Sequence, residues 1–215
     1  MIGIVHDVAQ RSPEWHALRC GALTGSAAAD MIAMLKSGKG EAAARRDLRL
    51  RLVVERLTGR SDESYRSTEM QWGIEHEDDA RRAYEALSGN VVRTVGYLSH
   101  PELRTGCSPD GLVGDVGGVE IKCPKSATHL VALRTRAVPV EYVPQCHHLL
   151  WLSGARWCDF VSFDPRFPRA LQLRVVRVTM SDAERAAWEI TVRSFLDEVA
   201  RELADVQQLL VAVAA

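Results

Sequence analysis

The 215-residue sequence contains no Cys-x-x-Cys pair; its five cysteines, Cys20, Cys107, Cys123, Cys146 and Cys158, are scattered and odd in number. That excludes a zinc ribbon, argues against a disulfide framework, and leaves reduced thiols as the expectation. No apolar run approaches the roughly 20 residues of a membrane span. Met1–Ala9 has neither the basic nor the apolar region of a secretory leader, so a cytoplasmic protein with no membrane partner is expected. Leu209–Ala215 is a short apolar tail that should pack rather than insert. Without a Pro/Gly/Ser linker, repeat or low-complexity tract, the expectation is one domain over residues 1–215. Nor is there an excess of charge: 27 basic against 28 acidic residues leave a net −1. This excludes a histone-like or tail-driven polyanion binder, but not a basic surface inside a neutral total.

What is present is an ordinary globular pattern with signals for both element types. Ser12-Pro13-Glu14 opens a helix that stops near Gly21. Thr24 or Ser26 starts a second over Ala27–Leu35, and Glu41–Leu57 is a third, ended by Gly59. A polar connection over Arg60–Ser67 precedes a helix at 69–87. The period then changes to that of strands, at Val91–Ser99, Arg104–Ser108 continuing through Gly111–Gly114, and Val119–Cys123 after a turn at Gly117-Gly118. Helices at 126–137 and Val140–Leu152, strands at Trp157–Phe163 and Leu171–Val178, and a long helix capped by Ser181 complete a mixed α/β chain.

The chemistry concentrates between Gly106 and Lys125. Glu120 and Lys122 stand two apart on a predicted strand, so their side chains leave the same face. Asp110, held by the Pro109-Asp110-Gly111 turn, lies ten residues earlier, a hairpin spacing that brings it level with Glu120. Two carboxylates supply hard oxygen ligands for Mg²⁺ or Mn²⁺, and the ammonium can orient a water and stabilise developing charge. The combination reads as metal-assisted phosphodiester hydrolysis, against the alternative of an exposed hairpin ion pair. Glu75, Glu77, Asp78 and Asp79 crowd one helix; a solvated face suits three of them, while Glu77, one turn after Gly73, is placed in the metal shell. Gln145 is a neutral donor and acceptor for a water or phosphate. His147 and His148 read as packing histidines without a metal role.

These residues lie in ordered blocks: Trp15-His16-Ala17-Leu18-Arg19-Cys20-Gly21 with Leu23-Thr24-Gly25-Ser26; Trp72-Gly73 with Glu77; Cys107-Ser108-Pro109-Asp110-Gly111-Leu112; Glu120-Ile121-Lys122-Cys123-Pro124; Gln145; and Asp164-Pro165-Arg166. In this order they resemble the bacteriophage lambda exonuclease and YqaJ-type viral recombinase (alkaline exonuclease) family of the PD-(D/E)XK nuclease superfamily. The resemblance implies an α/β fold with a central mixed sheet of about five strands flanked by helices. It implies a processive 5′→3′ exonuclease on double-stranded DNA ends, of phage or prophage origin, that releases mononucleotides and leaves a 3′ overhang. A two-metal Mg²⁺ site would use Glu77, Asp110, Glu120 and the Ile121 carbonyl, with Lys122 positioning the water and Gln145 beside it. Arg19 and Ser26 would hold the terminal 5′-phosphate, which agrees with a hydroxyl at a helix start near a guanidinium. A toroidal homotrimer and a single-strand annealing partner are implied as well. The rival readings are an endonuclease or nickase on the same core, and an inactive DNA-end-binding protein.

The near-zero net charge is also uneven along the chain. Residues 36–60 hold eight basic residues against three acids, and residues 61–85 hold eight acids against three basic residues. The basic segment is a candidate DNA track, against the alternative of salt-bridged helix faces.

Overall fold

The computed structural model describes residues 3–61 and 68–214. Residues 62–67 of the expected polar connection, and the side chains of 210–215 in the apolar tail, lie outside the described residues. Helix α1 (Pro13–Arg19) starts as expected, with the Ser12 side chain accepting from the Trp15 N–H and Pro13 in the first turn. A single 3₁₀ turn at Gly25–Ala27 leads into a four-residue α2 (Ala28–Met31). The expected helix to Leu35 is therefore cut short: the chain turns after Ile32 and brings Met34 back to bridge Glu41. Helix α3 (Ala43–Thr58) ends at Gly59 with φ 65°, a left-handed C-cap that suits glycine. Helix α4 covers Thr68–Ser88 and α5 covers Ser126–Thr135. Helix α6 (Val143–Ser153) again closes on a left-handed glycine, Gly154. Helix α7 (Asp182–Ala214) opens with a reciprocal cap between Ser181 and Glu184.

The strands are β1 (Ile4–His6), β2 (Leu23–Thr24), β3 (Tyr97–Ser99), β4 (Thr105–Cys107), β5 (Gly111–Val113), β6 (Gly117–Lys122), β7 (Trp157–Phe163) and β8 (Leu173–Val178). Instead of one sheet of about five strands, they form two four-stranded mixed sheets, ordered β1-β3-β4-β2 and β5-β6-β7-β8. The expected long strand Val91–Ser99 is divided between them. Arg93 bridges Leu112 of β5, whereas Tyr97–Ser99 joins the first sheet. Gly96 marks the break: a Cβ there would fall 2.0 Å from the Val8 carbonyl oxygen, so only glycine permits this approach. Gly117-Gly118 is a second correction. Both residues lie in β6 rather than in a turn, where Cβ atoms would meet the Trp157 ring and Leu149 at 2.3 Å. The turn is made upstream, with Gly114 at φ 53°.

One apolar core joins α3, α6 and α7 around Leu52, Leu150, Trp151 and Phe195. The other packs Ala80 and Tyr84 of α4 on Val119, Ile121, Val161 and Phe163 of the second sheet. The five cysteines are free thiols, and burial pushes Cys123 up to about 12. Among the described residues no helix is long and apolar enough to cross a membrane. The basic segment is largely committed internally. Arg45 binds both carboxylate oxygens of Glu198 at 2.8 and 2.9 Å, and Arg49 reaches Glu202 at 2.6 Å, tying α3 to α7. Arg56 is partly buried against the Gly21 carbonyl at 2.8 Å. The salt-bridged reading thus prevails over the DNA track at Arg45 and Arg49, while Arg56 is committed to a main-chain carbonyl.

Candidate active site

The chain crosses from the first sheet to the second at Ser108-Pro109-Asp110, between β4 and β5. Gly111 of β5 pairs with Val119 of β6, which brings Asp110 beside Glu120 and Ile121. The Ile121 N–H donates to Asp110 Oδ2 at 2.6 Å. Glu120 is only 2% exposed, and its Oε1 receives the Lys122 ammonium at 2.7 Å. Gln145, in the first turn of α6, donates its amide to the same oxygen. Ala80 and Tyr84, three and seven residues after Glu77, are buried on the second core, so the same stripe of α4 carries Glu77 toward the cleft. Glu77, Asp110, Ile121 and Lys122 line one cleft of about 540 Å³. Glu75, Asp78 and Asp79 are exposed, the last two paired with Arg81 and Arg82, as a solvated face requires. Among the described residues no neighbouring segment comes within 4 Å of where a Gly73 Cβ would be, so no backbone packs on Gly73, which borders the cleft.

The charges here are unbalanced. Burial raises the Asp110 carboxyl well above the usual carboxylate range, and Glu120 and then Glu77 add to the rise against Lys122. Burial also raises Glu120, although Lys122 draws it back. Burial acts against the Lys122 ammonium, yet Glu120 and Asp110 outweigh it and hold the group protonated. Lys122 is therefore a donor and a positive charge at neutral pH, not a base. Glu77, Asp110 and Glu120 are hard oxygen donors of the kind a divalent cation takes, and such an ion would relieve their mutual repulsion. Among the described residues no three His, Cys, Asp or Glu side chains are already gathered as a metal cluster. Asp110 is turned to the Ile121 N–H, Glu120 to Lys122 and Gln145, and Glu77 to Arg11.

Arg19 and Ser26 stand at either end of the short Cys20–Gly25 passage. The Arg19 guanidinium lies 4.0 Å from the Trp15 ring centre and points to Ser108 Oγ at 3.5 Å, two residues from Asp110. Ser26 is exposed, its hydroxyl 3.2 Å from Thr24 Oγ1. The expected helix dipole behind Ser26 is weak, because a 3₁₀ turn and four α-helical residues align few peptide units. His148 is a core histidine: burial lowers it to about 3, and Trp188 and Thr105 hold its ring nitrogens. His147 packs on Trp188. Neither faces the cleft chemistry.

Two participants escape the sequence reading. Arg11 reaches Glu77 at 3.1 Å from 66 residues away. Arg166 grips the buried Asp164 and stacks on Trp72, 4.4 Å from its ring centre, beside Lys125 and the cleft mouth. Only the Asp164-Pro165-Arg166 block hinted at the second, and nothing local hinted at the first.

The model of the YqaJ-like viral recombinase domain matches residues 14–156. No curated protein matches the sequence. Among solved structures, the alkaline exonuclease LHK-Exo from Laribacter hongkongensis is 37% identical, with 94% of this chain and 100% of that chain covered and a TM-score of 0.85. Its complex with dAMP gives 36% identity, the same coverage and a TM-score of 0.86. A phage-related exonuclease from Haemophilus somnus 129PT is 13% identical over 86% of this chain and 96% of its own, with a TM-score of 0.68, a likeness of fold alone. By sequence over most of its length, and by fold, the chain belongs to the YqaJ-like viral recombinase family.

Proposed function

We propose that this protein is a DNA exonuclease that digests one strand of linear duplex from its 5′-phosphorylated end, releasing mononucleotides and leaving a 3′ single strand for recombination by annealing. The observation that carries the reading is that Asp110 and Lys122 line a cleft with the buried Glu120 directly behind them, ion-paired to Lys122, so that two adjacent carboxylates are answered by one ammonium. It is supported by the 37% identical relative, an alkaline exonuclease that binds dAMP, a nucleotide of the class such an enzyme would release.

Glu77, Asp110, Glu120 and the Ile121 carbonyl would hold Mg²⁺, as two ions, with Mn²⁺ as a substitute. When bound, the metal supplies charge neutralisation at the phosphate and acidification of water. Lys122 orients the attacking water and offsets charge that builds on the phosphate. Gln145 fixes the Glu120 oxygen that also meets Lys122. Arg19 and Ser26 receive the terminal 5′-phosphate, with the Ser108 hydroxyl beside Arg19. A ring-shaped homotrimer around the duplex would supply processivity by enclosure, and a strand-annealing protein would take the 3′ product.

The test is nucleotide release from duplexes labelled at one 5′ or one 3′ end, with and without EDTA. The reading requires early release of the 5′ label as a mononucleotide and its loss with EDTA. Early 3′ release, nicking of closed circular DNA, or activity in EDTA would overturn it. Arg19→Ala should lower the preference for 5′-phosphate over 5′-hydroxyl ends by about tenfold, the worth of one charge-assisted bond.

A further inference from the structure

We propose that Arg11 is a positioning residue that latches Glu77 while the cleft is empty of DNA and releases it to the metal when a DNA phosphate takes its place. The inference rests on the nuclease reading above. Arg11 precedes the Ser12 cap of α1 and has φ 71°, a left-handed backbone that a branched or long side chain adopts at a cost. From there its Nη2 meets Glu77 Oε2 at 3.1 Å. The pair stands between two hollows. One is the cleft with Lys122; the other, about 470 Å³, lies against Ala9–Arg11 and Thr94–Gly96, and both reach Asp110. The Arg11 side chain is 38% exposed and lines both hollows, so an incoming phosphate can approach it from either.

The chemistry of the competition is simple. Glu77 cannot give the same oxygen to a guanidinium and to a divalent cation at full strength. A phosphate diester offers Arg11 a bidentate partner that matches its fork at least as well as a carboxylate. DNA that engages Arg11 thereby frees Glu77, and metal that takes Glu77 frees Arg11 for DNA. By linkage each ligand tightens the other by the same factor. A half-exposed ion pair carries little energy, so that factor is about twofold to fivefold. Its use is to bias completion of the metal site toward the moment a strand is in place.

Arg11→Gly is the informative variant, because glycine suits the left-handed backbone and removes the guanidinium without strain. Mn²⁺ is titrated into the protein and its free concentration followed by electron paramagnetic resonance, with and without a 5′-phosphorylated duplex whose terminal linkages are phosphorothioate. Arg11→Gly should bind Mn²⁺ about twofold to fivefold more tightly than wild type without DNA. The tightening caused by the duplex should be smaller in the variant than in wild type. Equal Mn²⁺ affinity in the two proteins overturns the latch. So does duplex-induced tightening that is undiminished in Arg11→Gly, the sign of simple repulsion between Arg11 and the cation. If wild type binds Mn²⁺, Glu77→Gln weakens it and Arg11→Gly does nothing, the latch fails and the nuclease reading stands. If wild type binds no Mn²⁺, both fail.

Discussion

Asp164 and Asp110 are both aspartates at a strand end, and the fold treats their charges in opposite ways. Asp164 is fully buried after β7, where the Arg166 Nε and Nη2, its N–H, and the Ser126 hydroxyl all donate to it. Burial works against its charge, yet Arg166 and Ser126 hold the carboxyl down at about 2. Asp159, on β7 itself, is similarly answered by Arg177 in two bonds of 2.8 Å and by the Tyr84 hydroxyl at 2.8 Å. At the sheet junction, Asp110 and Glu120 share a single ammonium, and both carboxyls rise. Asp164 and Asp159 are each matched by one guanidinium. The site instead keeps negative charge in excess, and that excess is useful only to a group that brings positive charge with it.

The contrast can be broken at its centre first. Lys122→Ala should lower exonuclease activity on the order of 10²–10³-fold, with the far-ultraviolet circular dichroism unchanged; retention of wild-type rate on an end-labelled duplex would remove Lys122 from the site. On the matched side the loss should fall on stability. Asp159→Asn sets an amide against Arg177 and Tyr84 and should cost about 3 kcal/mol in urea denaturation, while activity per folded molecule at low temperature holds. Asp110→Asn should do the reverse in EDTA: removing a repelled charge should raise Tm by about 2–4 °C, equivalent to about 1 kcal/mol, and abolish activity in Mg²⁺. A fall in Tm there would mean that Asp110 is structural, like Asp164.

The smallest effect is on the acid limb of stability. A carboxyl held below its unfolded value stabilises the fold above that value and loses its contribution as pH falls through the folded one. For Asp164 the window runs from the ordinary 3.8 down to about 2. Asp164→Asn should flatten the Tm profile within that window. Asp110 and Glu120, held above the ordinary range, contribute in the opposite sense, with folding favoured as they take up protons. A metal-free Asp110→Asn profile should accordingly gain less on mild acidification than wild type.

Much of the catalytic strand pair was readable along the chain, because its parts are local. The Glu120–Lys122 spacing sets both on one strand face, and a turn fixes Asp110 near them. Ser12, Gly59, Gly154 and Ser181 mark helix ends by side-chain or left-handed capping that needs no distant partner. The readings that failed were those in which a local signal had a distant cause. Gly117-Gly118 suggested a turn, but the glycines make room for Trp157 and Leu149 against a strand. The Val-rich stretch 91–99 suggested one strand, but Val8 crosses it at Gly96 and each part joins a different sheet. The arginines of α3 suggested a nucleic-acid track until α7 supplied glutamates 153 residues away.

The sequence by itself determined the chemistry of the strand pair, because periodicity two and a short turn are properties of neighbouring residues. Only the tertiary structure decided which charges are answered and which are left over. Arg11 on Glu77, Arg166 on Trp72 and Arg45 on Glu198 are pairings made by chain crossing, and the strength of a charge depends on the burial and partners that such crossings bring.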